Sequence, residues 1–185
     1  RHCRYSLQRW NTKRSNWQAC WATDRISHSA GGRLRYNPLM TDRPRIDFYV
    51  LQNASPNGRF KLACRITEKA YRAKHKIYLC TSNLEESSLL DDLLWTFSQS
   101  SFVPHQLSGK ENSEASPVLI GVEPSKKDTI DILISVADKP IVDFSSYPRI
   151  ADVVGFEENE KELGRKRFRY YREHGFKPST HSIRL

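Results

Sequence analysis

The sequence predicts an α/β fold: a three-layer sheet, at least partly parallel, in a single domain. Short runs of β-branched and aromatic residues alternate with segments whose apolar residues recur at helical spacing. The chain of 185 residues is long enough to bury one core of this kind. It shows no internal repeat and no second domain.

Ile46-Asp-Phe-Tyr-Val-Leu51 reads as the first strand, followed by the turn-rich NASPNGR loop. From Phe60 to Lys74, apolar residues at 60, 63, 66, 70 and 71 predict a helix with one buried face. Lys76 to Cys80 is a short strand. The next helix starts at an N-cap, Ser82 or Asn83, with Glu85 and Glu86 favouring its dipole, and runs through Leu89, Leu90, Leu93 and Leu94 to Trp95. Phe102 to His105 is extended, and the polar loop GKENSEAS leads to a strand over Pro117–Val122. After EPSKKD, Ile130–Val136 is a strand, then comes a stretch punctuated by Pro140 and Pro148. Ile150–Phe156 is expected to be the last strand, before a basic C-terminal helix.

The formal charge is +9, but it is spread unevenly. Residues 1–39 hold eight Lys/Arg and one Asp, which accounts for +7 and leaves +2 for the rest. Met40, the one methionine, marks that boundary. The leading segment has no amphipathic period and no apolar stretch fit for a secretory signal. It is Arg- and Ser-rich, as organelle transit peptides are. It is read as an extension, residues 1–42, poorly ordered or not native, ahead of a natural start at Met40. The domain is placed at 43–180 and a short tail at 181–185.

Motifs for catalysis are missing. The sequence has no GxxxxGK[ST], GxGxxG or GxSxG, and the loop after the first strand has a single glycine, Gly58. His75, His105, His174 and His181 are scattered and expected at the surface or at helix ends. The adjacent Asp91 and Asp92 are read as solvated. Cys64 and Cys80 have no CxxC or Cys/His metal spacing, which predicts free buried thiols in a reducing cytosol. No run approaches 18 apolar residues. The expectation is therefore no enzyme activity, no cofactor, no metal and no membrane.

Two features point to binding. Glu160 to Phe176 holds six cations (Lys161, Arg165, Lys166, Arg167, Arg169, Arg172) against three carboxylates, with Phe168, Tyr170 and Tyr171 among them. At helical spacing Lys161, Arg165, Phe168 and Arg172 share one stripe. Cations beside a ring suit either nucleic acid or an acidic peptide ending in an aromatic residue. The second feature is Trp95 with Phe97, Phe102 and Val103, read either as ordinary core or as an exposed patch for a protein partner.

In order along the chain, IDFYVLQ (46–52), KLACRITEKAYRAKHKIYLC (61–80), LDDLLWTFSQSSFVPHQLSG (90–109), SPVLI (116–120), DILIS (131–135) and RKRFRYYREHGF (165–176) resemble the chi subunit family of bacterial DNA polymerase III. The LDxxLW…SFVPHxL block joined to DILIS and a basic helix ending in GF is the specific part. The resemblance implies a Rossmann-like sheet without a nucleotide-binding loop, in a non-catalytic, cytoplasmic clamp-loader accessory subunit. It implies pairing with the psi subunit and binding to the acidic, Phe-ended C-terminal tail of single-stranded-DNA-binding protein, so that DNA contact is indirect. Carried over, the tail-binding residues are Lys161, Arg165 and Phe168; Trp95 and Phe102 fall to docking psi or an alternative helicase partner. The 1–42 extension has no family counterpart, and Phe168 stands where a tyrosine is expected. The GFEENE link between Val154 and Lys161 reads as shorter and more acidic than usual, leaving one apolar pocket residue unplaced. The alternative is a direct nucleic-acid-binding module using the same helix; a degenerate nucleotide-dependent enzyme rests on fold analogy alone.

Overall fold

A computed structural model describes residues 44–98, 102–109, 116–123 and 130–185. The 1–42 extension with Met40, most of the GKENSEAS loop and nearly all of EPSKKD lie outside the described residues. Within them the order is β1 (Arg45–Leu51), α1 (Gly58–Arg72), β2 (Ile77–Cys80), α2 (Leu84–Thr96), β3 (His105–Leu107), β4 (Val118–Gly121), β5 (Ile132–Ser135), β6 (Arg149–Val154), α3 (Glu158–Glu173) and β7 (Ser179–Ile183).

The strands form one sheet in the order β3-β4-β2-β5-β6-β1-β7, and every neighbouring pair is parallel. Parallel crossovers are right-handed, so the direction of each step decides which face its helix covers. The β1–α1–β2 and β2–α2–β3 crossovers step toward the β3 edge, whereas β6–α3–β7 steps the other way. Helices α1 and α2 therefore cover one face and α3 the opposite one, which gives the three layers. With both faces covered, strands lose polar alternation: all four residues of β5 are buried. On the α3 face, Phe48, Val50, Tyr78, Leu133, Ile150 and Val154 pack with Tyr171.

The helix boundaries follow their caps. Asn83, not Ser82, caps α2: its side chain accepts the Glu86 backbone N–H at 2.8 Å. The Ser82 hydroxyl instead accepts the Asp138 backbone N–H at 3.1 Å. Cys64 on α1 and Cys80 on β2 are free and buried, and burial pushes both thiols up to about 12.

Three sequence expectations are corrected. Strand β6 is not the last: residues 179–183 form β7 beside β1, so most of the expected 181–185 tail is sheet. His105 and His181 are buried rather than at the surface. The His105 ring nitrogens face the Val103 carbonyl at 2.6 Å and the Asp91 carbonyl at 3.2 Å, and His181 Nε2 lies 3.0 Å from Asp47 Oδ1. Asp91, expected to be solvated, also brings its carboxylate within 3.4 Å of His105 Nε2.

The carboxyl edge of such a sheet is the usual ligand position. Here the chain's own side chains occupy it. Arg59, at the start of α1, donates to Glu86 Oε1 at 2.9 Å and to Asp138 Oδ1 at 3.0 Å, and its Nε lies 3.5 Å from Glu160 Oε1. One guanidinium thus ties the first turns of α1, α2 and α3 to the loop after β5. Gly155 lies beside it, and a Cβ there would displace the Glu160 carboxylate from this position.

Candidate functional site

Helix α3 starts on a capping box, with Glu157 at the N-cap and Glu160 returning to the Glu157 backbone N–H at 3.2 Å. It stops at Gly175, whose φ of 84° suits a residue without a Cβ. The Gly175 N–H donates to the Arg172 carbonyl at 3.0 Å and the Phe176 N–H to the Tyr171 carbonyl at 3.1 Å, the paired pattern of a Schellman motif. The sequence HGF thus ends the helix.

The face that α3 turns to the sheet carries Gly164, Arg167 and Tyr171, all buried. A Cβ at Gly164 would come within 2.8 Å of Val154 Cγ2, so the glycine sets the close approach of helix to sheet. The Tyr171 hydroxyl accepts the Ile141 backbone N–H at 3.0 Å, and burial raises its pKa. Tyr170 is half-buried against Phe144 and His174.

Arg167 belongs to this inner face and not to the basic surface on which the sequence reading counted it. It is 2% exposed and its partner Asp152, on β6, is 0% exposed. Nε reaches both Asp152 oxygens at 3.1 and 2.9 Å, and Nη2 reaches Oδ1 at 2.7 Å. Burial opposes both charges: it pushes the Asp152 carboxyl up, while the Asp152 charge holds Arg167 protonated. The signal was present in the sequence as an aspartate inside the apolar strand IADVV and an arginine three residues after Gly164.

Lys161, Arg165, Phe168 and Arg172 lie together along one flank of α3, as their spacing requires. Arg165 is exposed, and its Nη1 donates to Glu158 Oε1 at 2.7 Å. Lys161 Nζ stands 4.3 Å from the centroid of the Phe156 ring. Phe156 sits in the very link where the sequence reading left an apolar residue unplaced. Phe168 is half-buried, edge-on to Phe48 of β1 at 5.2 Å, so one side of its ring is already committed to the core.

The other two candidate residues meet elsewhere. Trp95, at the end of α2, is 54% exposed and Phe102 is 67% exposed, with ring centroids 5.5 Å apart. Behind them, the buried His105 ring lies 4.8 Å from Trp95. Of the four apolar residues, Val103 is buried in the core and Phe97 is half-buried, while Trp95 and Phe102 face solvent. The two candidate groups stay apart: Trp95 and Phe102 sit beside β3, while the α3 stripe packs over β1.

Among the described residues, no group of three His, Cys, Asp or Glu side chains is placed to hold a metal ion. No described helix is long and apolar enough to cross a membrane.

Residues 43–179 match the family described as DNA polymerase III chi subunit, HolC. The chain is 34% identical over 139 residues to the DNA polymerase III subunit chi of Pseudomonas aeruginosa, covering 75% of this chain and 96% of that protein. It is 31% identical over 140 residues to the subunit chi of Escherichia coli (strain K12), covering 72% and 94%. Against that of Haemophilus influenzae the figures are 27% over 138 residues, covering 74% and 95%. The matched stretch takes in the whole parallel sheet up to the first residue of β7, together with the capped basic helix and the aromatic pair, so this chain belongs to the DNA polymerase III chi subunit family.

Proposed function

We propose that this chain is a non-catalytic, cytoplasmic accessory subunit of the bacterial replicative polymerase. It bridges the clamp loader, through the psi subunit, to the acidic C-terminal tail of single-stranded-DNA-binding protein. One observation carries the reading: Lys161, Arg165 and Phe168 share an exposed flank of α3 with the Phe156 ring beside Lys161. In this reading the tail's terminal carboxylate pairs with Arg165 and its upstream acids with Lys161 and neighbouring cations. Its phenyl ring packs against Phe156 and Phe168, which supply the apolar wall. The Trp95–Phe102 pair is assigned to psi, or to a helicase partner in its place.

Burying one phenyl ring contributes about 1.5–3 kcal/mol, and each exposed charge pair adds about 0.2–1 kcal/mol. Set against the cost of association, this suits an affinity of about micromolar, weakened by salt. Such a contact releases and rebinds readily.

The direct nucleic-acid reading has fewer cations to use than the sequence offers, because Arg167 is buried on Asp152 and Lys166 Nζ lies 3.0 Å from Glu162. The test titrates the full chain with an acidic peptide ending in Phe and, separately, with a single-stranded oligonucleotide. Micromolar peptide binding and little oligonucleotide binding are expected; tight oligonucleotide binding without peptide binding would sink the proposal.

A further inference from the structure

The cation assigned to the ligand's carboxylate is not vacant. Glu158 lies seven residues before Arg165, two helical turns along the same flank, and its Oε1 accepts from Arg165 Nη1 at 2.7 Å. Both side chains face solvent, 45% exposed for Arg165 and 73% for Glu158. The hydrogen bond and charge of Arg165 hold the Glu158 carboxyl below the usual range. Helix initiation does not need this carboxylate, since the capping box is made by Glu157 and Glu160.

We propose that Glu158 is a built-in competitor for the ligand's carboxylate, an autoinhibitory contact that occupies Arg165 until a tail displaces it. The inference rests on the tail-binding reading and concerns the same site.

The physical consequence is an exchange. A carboxylate arriving at Arg165 replaces one charge-assisted bond with another of the same kind, so that contact yields little net gain. The displaced Glu158 remains on the same flank as a like charge near the newcomer. An anion with nothing else to offer is therefore bound poorly. A ligand that also buries a ring against Phe156 and Phe168 gains what the exchange does not supply, so the phenyl group becomes the main source of affinity. Exchange also mutes the salt dependence, since the number of ion pairs at Arg165 is the same before and after binding.

The experiment uses the full chain and a fluorescently labelled acidic peptide ending in Phe, with Glu158→Gln and Glu162→Gln compared with the parent. Both variants add the same charge, but Glu162 pairs with Lys166, off the stripe. Glu158→Gln is expected to tighten peptide binding about two- to fivefold, the range set by one exposed ion pair, and to steepen its dependence on salt. Glu162→Gln is expected to do neither. Equal affinities in all three proteins, or equal tightening in both variants, overturn the inference while leaving the tail-binding reading in place. Failure of the parent and of Glu158→Gln alike to bind the peptide overturns both. A second measurement needs no variant: NMR titration of the Glu158 carboxyl in the parent. Its pKa is expected to rise toward the ordinary carboxylate value when peptide saturates the site, and an unchanged value in the complex shows that Glu158 was never displaced.

Discussion

Arg167 follows two cations that face solvent, Arg165 and Lys166, yet it is among the largest fully buried side chains described. Its position one turn after Gly164 and one before Tyr171 turns it onto the sheet, where Asp152 takes three of its hydrogen bonds. A buried pair of this kind adds little over a well-packed apolar pair, but removing one partner strands the other charge. Arg167→Ala is therefore expected to cost about 3–5 kcal/mol in denaturant unfolding. A double replacement, Arg167→Met with Asp152→Leu, should recover most of that loss. A single substitution costing under about 1 kcal/mol would show that the pair does not hold α3 in place. With Gly164, Arg167 and Tyr171 turned to the sheet, Lys161, Arg165 and Phe168 lie on the adjoining flank.

At the scale of elements, β1 is held between β6 and β7, and a single carboxylate is shared among those strands. Asp47 accepts from Arg149 Nε and Nη2 at 3.1 and 2.8 Å, lies 3.0 Å from Arg45 Nε, and meets His181 of β7. Burial alone pushes the Asp47 carboxyl up, but the His181 hydrogen bond and the Arg149 and Arg45 charges outweigh it and hold it below the usual range. A carboxyl that titrates lower when folded than when unfolded contributes stability above its unfolded value, about 4, and loses it as pH falls through the folded value. Thermal stability is thus expected to drop as pH falls below about 4, and Asp47→Asn should flatten that acid limb while lowering stability at neutral pH. An acid limb unchanged in the variant would assign the loss to other groups. The fraying element would be β7, an edge strand whose pairing with β1 brings His181 to this carboxylate.

For the whole molecule, what matters is the distance between the two candidate surfaces. Trp95 stacks beside β3 on the face covered by α1 and α2, and Phe168 packs over β1 on the face covered by α3. Five strand spacings separate β3 from β1 in the sheet order, roughly 25 Å, with the sheet between. Groups that far apart with no shared partner contribute additively. Trp95→Ala is expected to weaken psi pairing by about tenfold or more, as loss of an exposed aromatic anchor does, and to leave peptide affinity unchanged. Arg165→Ala should do the reverse: weaken peptide binding, leaving the part carried by the phenyl ring, and spare psi. The measurement is calorimetric titration of each variant with each partner, and loss of both partners in either variant would mean that the two surfaces are one.

The chain's periodicity was enough for most of this architecture. Apolar runs such as Ile132–Ile134 read as strands, the 60–71 spacing as a one-faced helix, and EKELGRKRFRYYREHGF as a basic helix stopped by glycine, because backbone preference and hydrophobic period are local. The helical period likewise placed Lys161, Arg165 and Phe168 on one stripe before any fold was known. The strand STHSI escaped notice because its burial pattern, exposed except at His181 and Ile183, has too little apolar content to stand out from a tail. The settings of His105 and His181 were equally hidden, since each is buried beside a partner distant in sequence: Asp91 and Asp47. Sequence alone therefore determined most of the elements, the family resemblance and the stripe of Lys161, Arg165 and Phe168. Tertiary structure decided which charges face water, which are spent on one another, and that Phe156 stands beside Lys161, because burial and pairing depend on contacts between segments that the chain brings together only by folding.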